Sequence, residues 1–191
     1  MPAPSIAGVV LAAGASRRMG ELKQLIRDGD RTWVERAAST LEAGGAGIVY
    51  VVVGAHASEV GRALPARVRR VHNADWASGQ LSSARLGIAA ALEDGAECVL
   101  LSLVDHPALR PTTVRALLAI DSACAAPCVA ARRGHPLRLS AEAARAVLAQ
   151  DDATSLKDAL ARAGLVPTLV PVDDVGAVEN LNSPGDRSSP A

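Results

Sequence analysis

The amino-acid sequence predicts an α/β fold in three layers (α/β/α), with a mostly parallel, Rossmann-like sheet between two layers of helices. Four apolar runs rich in Val, Ile and Leu, at residues 6–12, 48–53, 99–103 and 165–172, are typical of parallel strands buried on both faces. Helical patterns separate these runs, and this alternation favours a parallel sheet covered by helices. The 191 residues are enough for one domain, which we place at residues 1–186, followed by a short polar tail at 187–191 that we expect to fray.

Apolar spacing and capping residues predict where the helices lie. Two stripes at helical spacing stand between the apolar runs, the first made of Trp33, Ala37, Ala38 and Leu41, the second of Leu81, Leu86, Ala89, Ala90 and Leu92. Pro111 suits the first turn of a helix that carries Val114, Leu117 and Leu118. Ser140 is placed to cap a helix over 141–149, and Ser155 with Asp158 resembles a capping box. Residues 128–139 indicate a hairpin-like excursion.

Composition and charge exclude several classes of protein. The formal net charge is +0, so no overall field draws the chain to nucleic acid or to a membrane surface, and any anion site must be local. Aromatic residues make up only 2% of the chain, too few for the stacking platforms of single-stranded nucleic-acid binders. No apolar run is long enough to span a bilayer, and no basic leader precedes the first run. We therefore expect a cytoplasmic protein whose three cysteines stay reduced. The histidines lack zinc-site spacing, which leaves a zinc enzyme unsupported.

The first apolar run leads into the segment LAAGASRRMGELK, residues 11–23, which has more positive charge than a simple turn needs. Its glycines fit neither a Walker phosphate loop nor the GxGxxG of a dinucleotide-binding loop. Two interpretations remain. The segment is either an exposed basic loop that keeps the protein soluble, or a loop whose backbone amides wrap a triphosphate while Arg18 and Lys23 neutralise its charge.

The longer segment LAAGASRRMGELKQLI resembles the L-A-A-G-x-S-x-R-M-G-x-x-K signature of MobA-like nucleotidyltransferases. Its LAAG variant is most similar to the MocA branch, which comprises molybdenum cofactor cytidylyltransferases and close relatives. Further segments in the expected order extend the resemblance over nearly the whole chain. It implies the nucleotide-diphospho-sugar transferase type of fold. It also implies Arg18 and Lys23 as catalytic cations, within a nucleotide-binding set that contains Leu11, Ala12, Ala13, Gly14, Arg18 and Lys23.

The segment NADWASGQLSSARLGI, residues 73–88, is similar to the N-x-D-W-x-x-G-x-x-x-S-x-x-x-G segment of the family. The resemblance implies that Gly79, Ser82 and Ser83 bind the nucleotide near its base. The alternative is that one of the serines simply caps a helix. We expect Trp76 to pack rather than to contact a ligand.

The segment LLSLVDHPAL, residues 100–109, places Asp105 directly after an apolar run. A carboxylate at the carboxyl end of a central strand is a natural Mg²⁺ ligand, because hard cations take oxygen donors. The resemblance likewise implies that Asp105 is catalytic and binds the metal, the alternative being a helix cap. His106 stands where the MocA branch usually has glutamine, and we expect it to contact the acceptor.

Two later segments complete the resemblance. RRGHPLRLS, residues 132–140, is similar to the G-H-P segment near the acceptor, which implies that His135, with the arginines before it, meets an anionic pterin phosphate. A solvated turn is the alternative. VENLNSPGD, residues 178–186, resembles the closing N-x-N-T-P-E-D motif, so Asn182 is implied as the second metal ligand. Ser183 keeps the hydroxyl of the usual threonine, Gly185 replaces the usual glutamate, and Asp186 is expected to act as a cap or turn residue.

The function that these assignments imply is Mg²⁺-dependent nucleotidyl transfer, in which an acceptor phosphate attacks the α-phosphate of a nucleoside triphosphate and pyrophosphate leaves. The resemblance favours CTP as donor and the phosphorylated pterin of the molybdenum cofactor as acceptor, with transient contact with a molybdoenzyme or its assembly factors. GTP, a sugar phosphate or another small acceptor fits the same residues. A nucleotide-binding assembly factor without turnover is an alternative of another class. A redox enzyme ranks third, because the dinucleotide fingerprint is missing.

Overall fold

The structure is a computed structural model, and it describes residues 5–182. Strands in this part of the chain are β1 (Ile6–Leu11), β2 (Arg27–Asp28), β3 (Arg31–Thr32), β4 (Ile48–Val53), β5 (Arg69–His72), β6 (Cys98–Leu103), β7 (Cys124–Val129), β8 (Arg132–Arg133), β9 (Leu137–Ser140) and β10 (Thr168–Pro171). The helices are α1 (Trp33–Gly44), α2 (Ala57–Ala63), α3 (Gln80–Glu93), α4 (Pro111–Leu118), α5 (Ala141–Leu148) and α6 (Leu156–Arg162).

One central sheet organises the molecule, with the strand order β10-β7-β9-β6-β1-β4-β5 and with β8 paired to β7. Strand β1 lies between two parallel neighbours, so that Gly8 pairs with Val49 of β4 on one side and with Leu100 of β6 on the other. Strand β9 is antiparallel to both β6 and β7. The expected mostly parallel sheet is therefore confirmed, with one antiparallel strand inserted near its middle.

Helices cover both faces of this sheet, because successive side chains of its strands point to opposite sides. Along β1, Val9 belongs to a core cluster that includes α3 and α5, whereas Val10 belongs to a second cluster that includes α1. Helix α3 approaches β1 closely at Gly87, where an added Cβ would stand 2.3 Å from Cγ1 of Val9. The three-layer α/β/α prediction is confirmed by this arrangement.

Several local predictions agree with the structure. The four predicted runs correspond to β1, β4, β6 and β10, and Pro111 begins α4. The hydroxyl of Ser140 accepts a hydrogen bond from the Ala143 amide, as expected of a helix cap. The predicted excursion at 128–139 contains the antiparallel strands β8 and β9.

Other local predictions are wrong in whole or in part. Leu86 is 39% exposed, so the predicted stripe is right only in part: Leu81 is buried and Ala90 and Leu92 pack against the core, but the fully buried face of α3 continues through Ala84, Ile88 and Ala91. Ser155 caps α6, but the Asp158 carboxylate accepts from the Thr154 amide and does not complete a capping box. The sequence interpretation also missed β5 and α2.

Among residues 5–182, no helix has both the length and the apolar character needed to cross a lipid bilayer. The predictions for Ser183, Gly185, Asp186 and the tail lie outside the described residues.

Candidate active site

The carboxyl ends of β1 and β6 form the floor of the candidate site. These strands are parallel neighbours, and Leu11 pairs with Leu103 at their ends. The amide of Val104 donates to the carbonyl of Leu11 at 3.3 Å, which ties the two following loops together. The loop after β1 and the Asp105 loop after β6 are therefore adjacent, as expected for ligand-binding loops of a parallel sheet.

The buried side chain of Gln24 fixes the conformation of the loop after β1. It is 0% exposed, and its Nε2 donates to the carbonyls of Ala12 at 2.9 Å and Gly14 at 2.7 Å. Its Oε1 accepts from the hydroxyl of Ser16 at 3.0 Å, and that hydroxyl in turn accepts from the amide of Lys23 at 3.1 Å. A single buried amide group thus fixes both ends of the loop.

Because these carbonyls are turned into the protein, the loop presents amide groups to the cleft. The carbonyl of Ala13 is also taken, by the amide of Ala55 at 3.0 Å. Within residues 5–182, the amides of Gly14 and Ala15 meet no acceptor. Adjacent unpaired amides of this kind are the usual backbone contribution to an anion site.

Lys23 joins the loop to the two proposed metal ligands. Its Nζ donates to Oδ2 of Asp105 at 2.9 Å and to Oδ1 of Asn182 at 3.3 Å. The amide of Leu181 donates to the carbonyl of Asp105 at 2.9 Å, and this contact brings Asn182 to the site. Residues 159 positions apart in the chain therefore meet around one positive charge.

The carboxylate of Asp105 has spare capacity to bind a cation. Its Oδ1 is buried and has no hydrogen-bond partner among the described residues. Two oxygens, from Asp105 and Asn182, already surround the Lys23 ammonium, so the donor set suits a hard divalent cation. Within residues 5–182 there is no cluster of three or more His, Cys, Asp or Glu side chains that would hold a metal by themselves. A cation here would therefore need further oxygens from a substrate or from water.

A cleft of about 280 Å³ opens above these groups. Leu11, Ala13, Gly14, Lys23 and Asp105 form one side, and Gly79 and Ser83 lie on the other. The wall also contains residues that the sequence interpretation did not assign to the site, namely Trp76, Ala77, Gln80, Leu103 and Val104. Trp76, which we expected only to pack, is half-buried and lines this cleft.

Arg18 lies in a smaller cleft of about 150 Å³ that adjoins the first. Its other lining residues include Gly14, Ser16, Lys23 and Asn182. The Arg18 side chain is exposed, so it is free to turn toward an anion bound at the loop. The two clefts meet at Gly14 and Lys23, which line both.

Asn73 organises the opposite wall. It is 1% exposed, and its Nδ2 donates to the hydroxyls of Ser82 and Ser83, each at 2.8 Å. The Ser82 hydroxyl donates in turn to the carbonyl of Gly79 at 2.8 Å. Ser82 is thus engaged within the loop, whereas Ser83 lines the cleft. The backbone of Ala12 is also paired within the protein. Its amide donates to the carbonyl of Val52, and its carbonyl accepts from Nε2 of Gln24.

His106 and His135 lie outside the main cleft, and burial makes both poor cations. Their ring centroids are 5.3 Å apart, and Nδ1 of His106 donates to the carbonyl of Gly176 at 3.1 Å. Burial lowers the pKa of His106, although the Asp105 carboxylate beside it acts in the opposite direction. Burial and the neighbouring His106 lower the pKa of His135 to about 4. At neutral pH the His135 ring is therefore uncharged, so it would meet an acceptor by hydrogen bonding; the acceptor roles of His106 and His135 stay predictions.

Comparison with known proteins shows the family of the chain. A family model described as the MobA-like NTP transferase domain matches residues 8–167. The chain belongs to this family. The nucleotidyltransferase class that the sequence predicts is confirmed at this level.

Relatives of this MobA-like chain are named for different activities. Nicotine blue oxidoreductase of Paenarthrobacter nicotinovorans is 42% identical over 150 residues, which cover 72% of each chain. A Methanothermobacter nucleotidyl transferase has a TM-score of 0.81 at 26% identity, covering 96% of this chain and 94% of that one. A manganese complex of Mycobacterium tuberculosis Rv0371c has a TM-score of 0.72 at 23% identity, covering 88% of each chain, and shows the fold alone.

Proposed function

We propose that the chain is a Mg²⁺-dependent transferase that moves a nucleoside monophosphate from CTP to a phosphorylated acceptor, the molybdopterin form of the molybdenum cofactor. The observation that carries the proposal is that Lys23, Asp105 and Asn182 meet beside the loop after β1, which contains Gly14. The Lys23 ammonium lies 2.9 Å from Oδ2 of Asp105 and 3.3 Å from Oδ1 of Asn182. This arrangement supplies amides, an ammonium group and two oxygens of the kind that bind metals, at the point where the two adjoining clefts meet.

In the proposed reaction an oxygen of the acceptor phosphate attacks the α-phosphorus of CTP. The bond from that phosphorus to the bridging oxygen breaks, and pyrophosphate leaves with the electron pair. A phosphate monoester has its second pKa near ~6, so the nucleophile is already ionised at neutral pH and no strong general base is needed. This agrees with the lining of the cleft, in which the described residues include no histidine and only one carboxylate, that of Asp105.

The residues of this chain act by alignment and by charge. The amides of the Gly14 loop hold the phosphates, and Arg18 and Lys23 neutralise the charge that grows on the leaving pyrophosphate. Asp105 and Asn182 would hold Mg²⁺, which when bound supplies additional positive charge on the phosphate oxygens. We assign the base of the nucleotide to the part of the cleft that Trp76, Gly79 and Ser83 line.

The choice of CTP and of a pterin acceptor rests on the resemblance of the LAAG segment to the MocA branch. Contact with a molybdoenzyme or its assembly factors and a place in the cytoplasm belong to the same proposal. GTP as donor, another phosphorylated acceptor, or a nucleotide-binding assembly role without turnover would use the same cleft.

A second candidate function is oxidoreduction, which the 42% identity to a protein named nicotine blue oxidoreductase favours. The anion-binding loop around Gly14 suits the pyrophosphate of NADH or NADPH as well as a triphosphate, although it lacks the GxGxxG pattern. In that case a hydride would pass from the nicotinamide to an oxidised substrate, which would also take up a proton.

The deciding experiment compares the two reactions on one preparation. Pyrophosphate release is measured with CTP or GTP, Mg²⁺ and molybdopterin, and NADH or NADPH oxidation is measured with nicotine blue. We expect CTP-dependent pyrophosphate release that Asp105→Ala reduces by on the order of 10²–10³ while the fold is kept. Arg145→Gln, on the exposed side of α5, is the matched control. NADPH oxidation without pyrophosphate release would replace the proposal by the second candidate, and CTP binding without turnover would leave only an assembly role.

A further inference from the structure

Two loop segments run side by side in opposite directions next to the candidate site. The first is residues 105–110, which come after β6 and begin with Asp105. The second is residues 174–182, which come after β10 and end with Asn182. At their shared end, the amide of Leu181 donates to the carbonyl of Asp105 at 2.9 Å. This contact brings the two proposed metal ligands together, so their spacing depends on how the rest of the second segment is held.

The middle of the second segment packs tightly on the first. A Cβ added to Gly176 would lie 2.4 Å from the carbonyl carbon and oxygen of Ala108, so the two backbones are in direct contact. The Nδ1 of His106 donates to the carbonyl of Gly176 at 3.1 Å. Residues 175–178 are Val, Gly, Ala and Val, and none of them has a polar side chain. The middle of the segment is therefore held by its shape and by polar groups that belong to its neighbours.

Asp174 fixes the far end of the second segment. It is 2% exposed, and its Oδ2 accepts from the amide of Arg110 at 2.9 Å and from the hydroxyl of Thr113 at 2.5 Å. Both donors belong to the start of α4, where Arg110 is the cap residue and makes no side-chain cap of its own. The Asp174 carboxylate caps nothing within its own turn. One buried oxygen thus joins the second segment to a helix.

The other oxygen of Asp174 is left without a hydrogen bond. Oδ1 is buried and has no hydrogen-bond partner among the described residues. The Nε of Arg110 lies 3.6 Å from it, but the Arg110 side chain is 55% exposed, so water screens this ion pair and it contributes little. A buried carboxylate with an unpaired oxygen costs free energy, and folds depart from full pairing mainly at functional sites.

We propose that Asp174 is a positioning residue for the cation site: it holds the second segment in the register that keeps the amide oxygen of Asn182 beside the carboxylate of Asp105. This role rests on the proposed function, since it takes the two oxygens to share a divalent cation. Asp174 lines neither the cleft beside Lys23 nor the cleft of Arg18, so it acts through residues 175–181 and not by contact with the nucleotide. Replacing a residue that orients a metal ligand typically lowers metal affinity or activity about 10–100-fold.

The test measures Mn²⁺ binding to the full chain by electron paramagnetic resonance, first with Mn²⁺ alone and then with CTP but no acceptor. Asp174→Ala should bind Mn²⁺ about 10-fold more weakly than the unaltered protein. Asp174→Asn should keep most of the affinity, because its amide oxygen can accept from both donors at α4. Ser140→Ala, which removes the cap of α5, is the matched control; it should lower the urea midpoint and leave Mn²⁺ affinity unchanged.

Two milder variants keep the test valid if Asp174→Ala does not fold. Thr113→Val keeps the shape of a buried side chain and removes one of the two donors, so Mn²⁺ affinity should fall about 3-fold. Gly176→Ala removes no polar group, but its methyl would push the two segments apart at Ala108, and Mn²⁺ affinity should fall here as well. With CTP and molybdopterin, excess Mg²⁺ should restore most of the turnover of Asp174→Ala, because the defect is one of metal affinity.

Two results would overturn the positioning role. One is unchanged Mn²⁺ affinity in Asp174→Ala, or in both Thr113→Val and Gly176→Ala. The other is an equal loss in Asp174→Asn and Asp174→Ala, which would mean that the charge of Asp174 acts on the cation and its hydrogen bonds do not.

The failure of this inference can be distinguished from the failure of the proposed function. If the unaltered protein binds Mn²⁺ and releases pyrophosphate from CTP, and Asp174→Ala matches it, only the positioning role is wrong. If Mn²⁺ affinity falls as expected in Asp174→Ala but the unaltered protein releases no pyrophosphate, the positioning role stands and the transferase proposal falls. An unaltered protein that binds no Mn²⁺, with or without CTP, would overturn both.

Discussion

Replacing Lys23 by methionine is expected to strengthen the binding of a divalent cation when no nucleotide is present. The Lys23 ammonium lies within 2.9 Å of Asp105 and 3.3 Å of Asn182, so it occupies the position between the two oxygens that would hold the metal. A cation can use both oxygens only after this contact is broken. Methionine keeps the length and apolar stem of the side chain but removes the competing charge.

The size of the effect follows from the geometry of the contact. The two side chains are only 18% and 12% exposed, so water screens their hydrogen bond weakly. A hydrogen bond between charged groups contributes about 1.5–3 kcal/mol, which corresponds to about 10–100-fold in a binding constant. Affinity for Mn²⁺ without nucleotide should rise by that factor in Lys23→Met.

The assay is a Mn²⁺ titration followed by electron paramagnetic resonance, with and without CTP, and with Arg145→Met as the control for loss of an exposed cation. CTP should tighten Mn²⁺ binding in the unaltered protein, because the phosphates draw Lys23 away from Asp105. The advantage of the variant should therefore shrink when CTP is present, while its turnover is lost. An unchanged or weaker Mn²⁺ affinity in Lys23→Met without nucleotide would refute the competition.

Three other expectations follow from single contacts. Gln24→Leu should lower the free energy of unfolding in urea by about 1–3 kcal/mol and weaken CTP binding, since buried carbonyls lose their donor. Gln150→Leu, which removes the hydrogen bond of a half-buried glutamine to the Ala146 carbonyl, should cost less and leave CTP binding unchanged, and an equal effect of both would contradict the role of Gln24. Gly134→Ala should lower the thermal midpoint by several degrees, because its Cβ would lie 2.1 Å from the carbonyl oxygen of Ala177, whereas Gly47→Ala, with its nearest atom at 3.8 Å, should be tolerated. The pKa of His135 falls from 6.5 to about 4 on folding, so the neutral ring is favoured and the stability is complete above pH 6.5. As the pH drops toward 4, about 2–3 kcal/mol should be lost, and a His135→Gln variant with the same pH profile in urea unfolding would show that another group is responsible.

The sequence predicts the parallel half of the sheet well, because strands buried on both faces consist of continuous Val, Ile and Leu. It fails where the pattern carries no such signal. Strand β5 is an edge strand whose first two residues are exposed arginines, and helix α3 buries alanines and a glycine, so Leu86 gave a misleading stripe. The position of β9 between β6 and β7 depends on long-range pairing that local spacing does not contain.

The residues of the candidate site were likewise predicted only in part. Lys23, Asp105 and Asn182 were found because charged and amide groups stand out against apolar runs and match a known signature. Gln24 and Asn73 were missed because a glutamine or asparagine in a loop is usually exposed, and nothing in the order of residues reveals that these two are almost completely buried. Their role depends on the carbonyls and hydroxyls that the fold brings to them.

An earlier part of the chain lines the first cleft, and a later part, which contains the antiparallel strand β9, lines a second cleft. The residues proposed to hold the triphosphate come from before residue 106 or from Asn182, whereas this second cleft, of about 250 Å³, is lined mainly by residues of 133–137 and 155–160. Under that proposal, mutations in the later block are expected to change the second cleft and to leave the phosphate-binding residues in place. Related chains could therefore keep one nucleotide site while their second clefts differ, which makes the name of a relative a weak guide to the substrate of this chain.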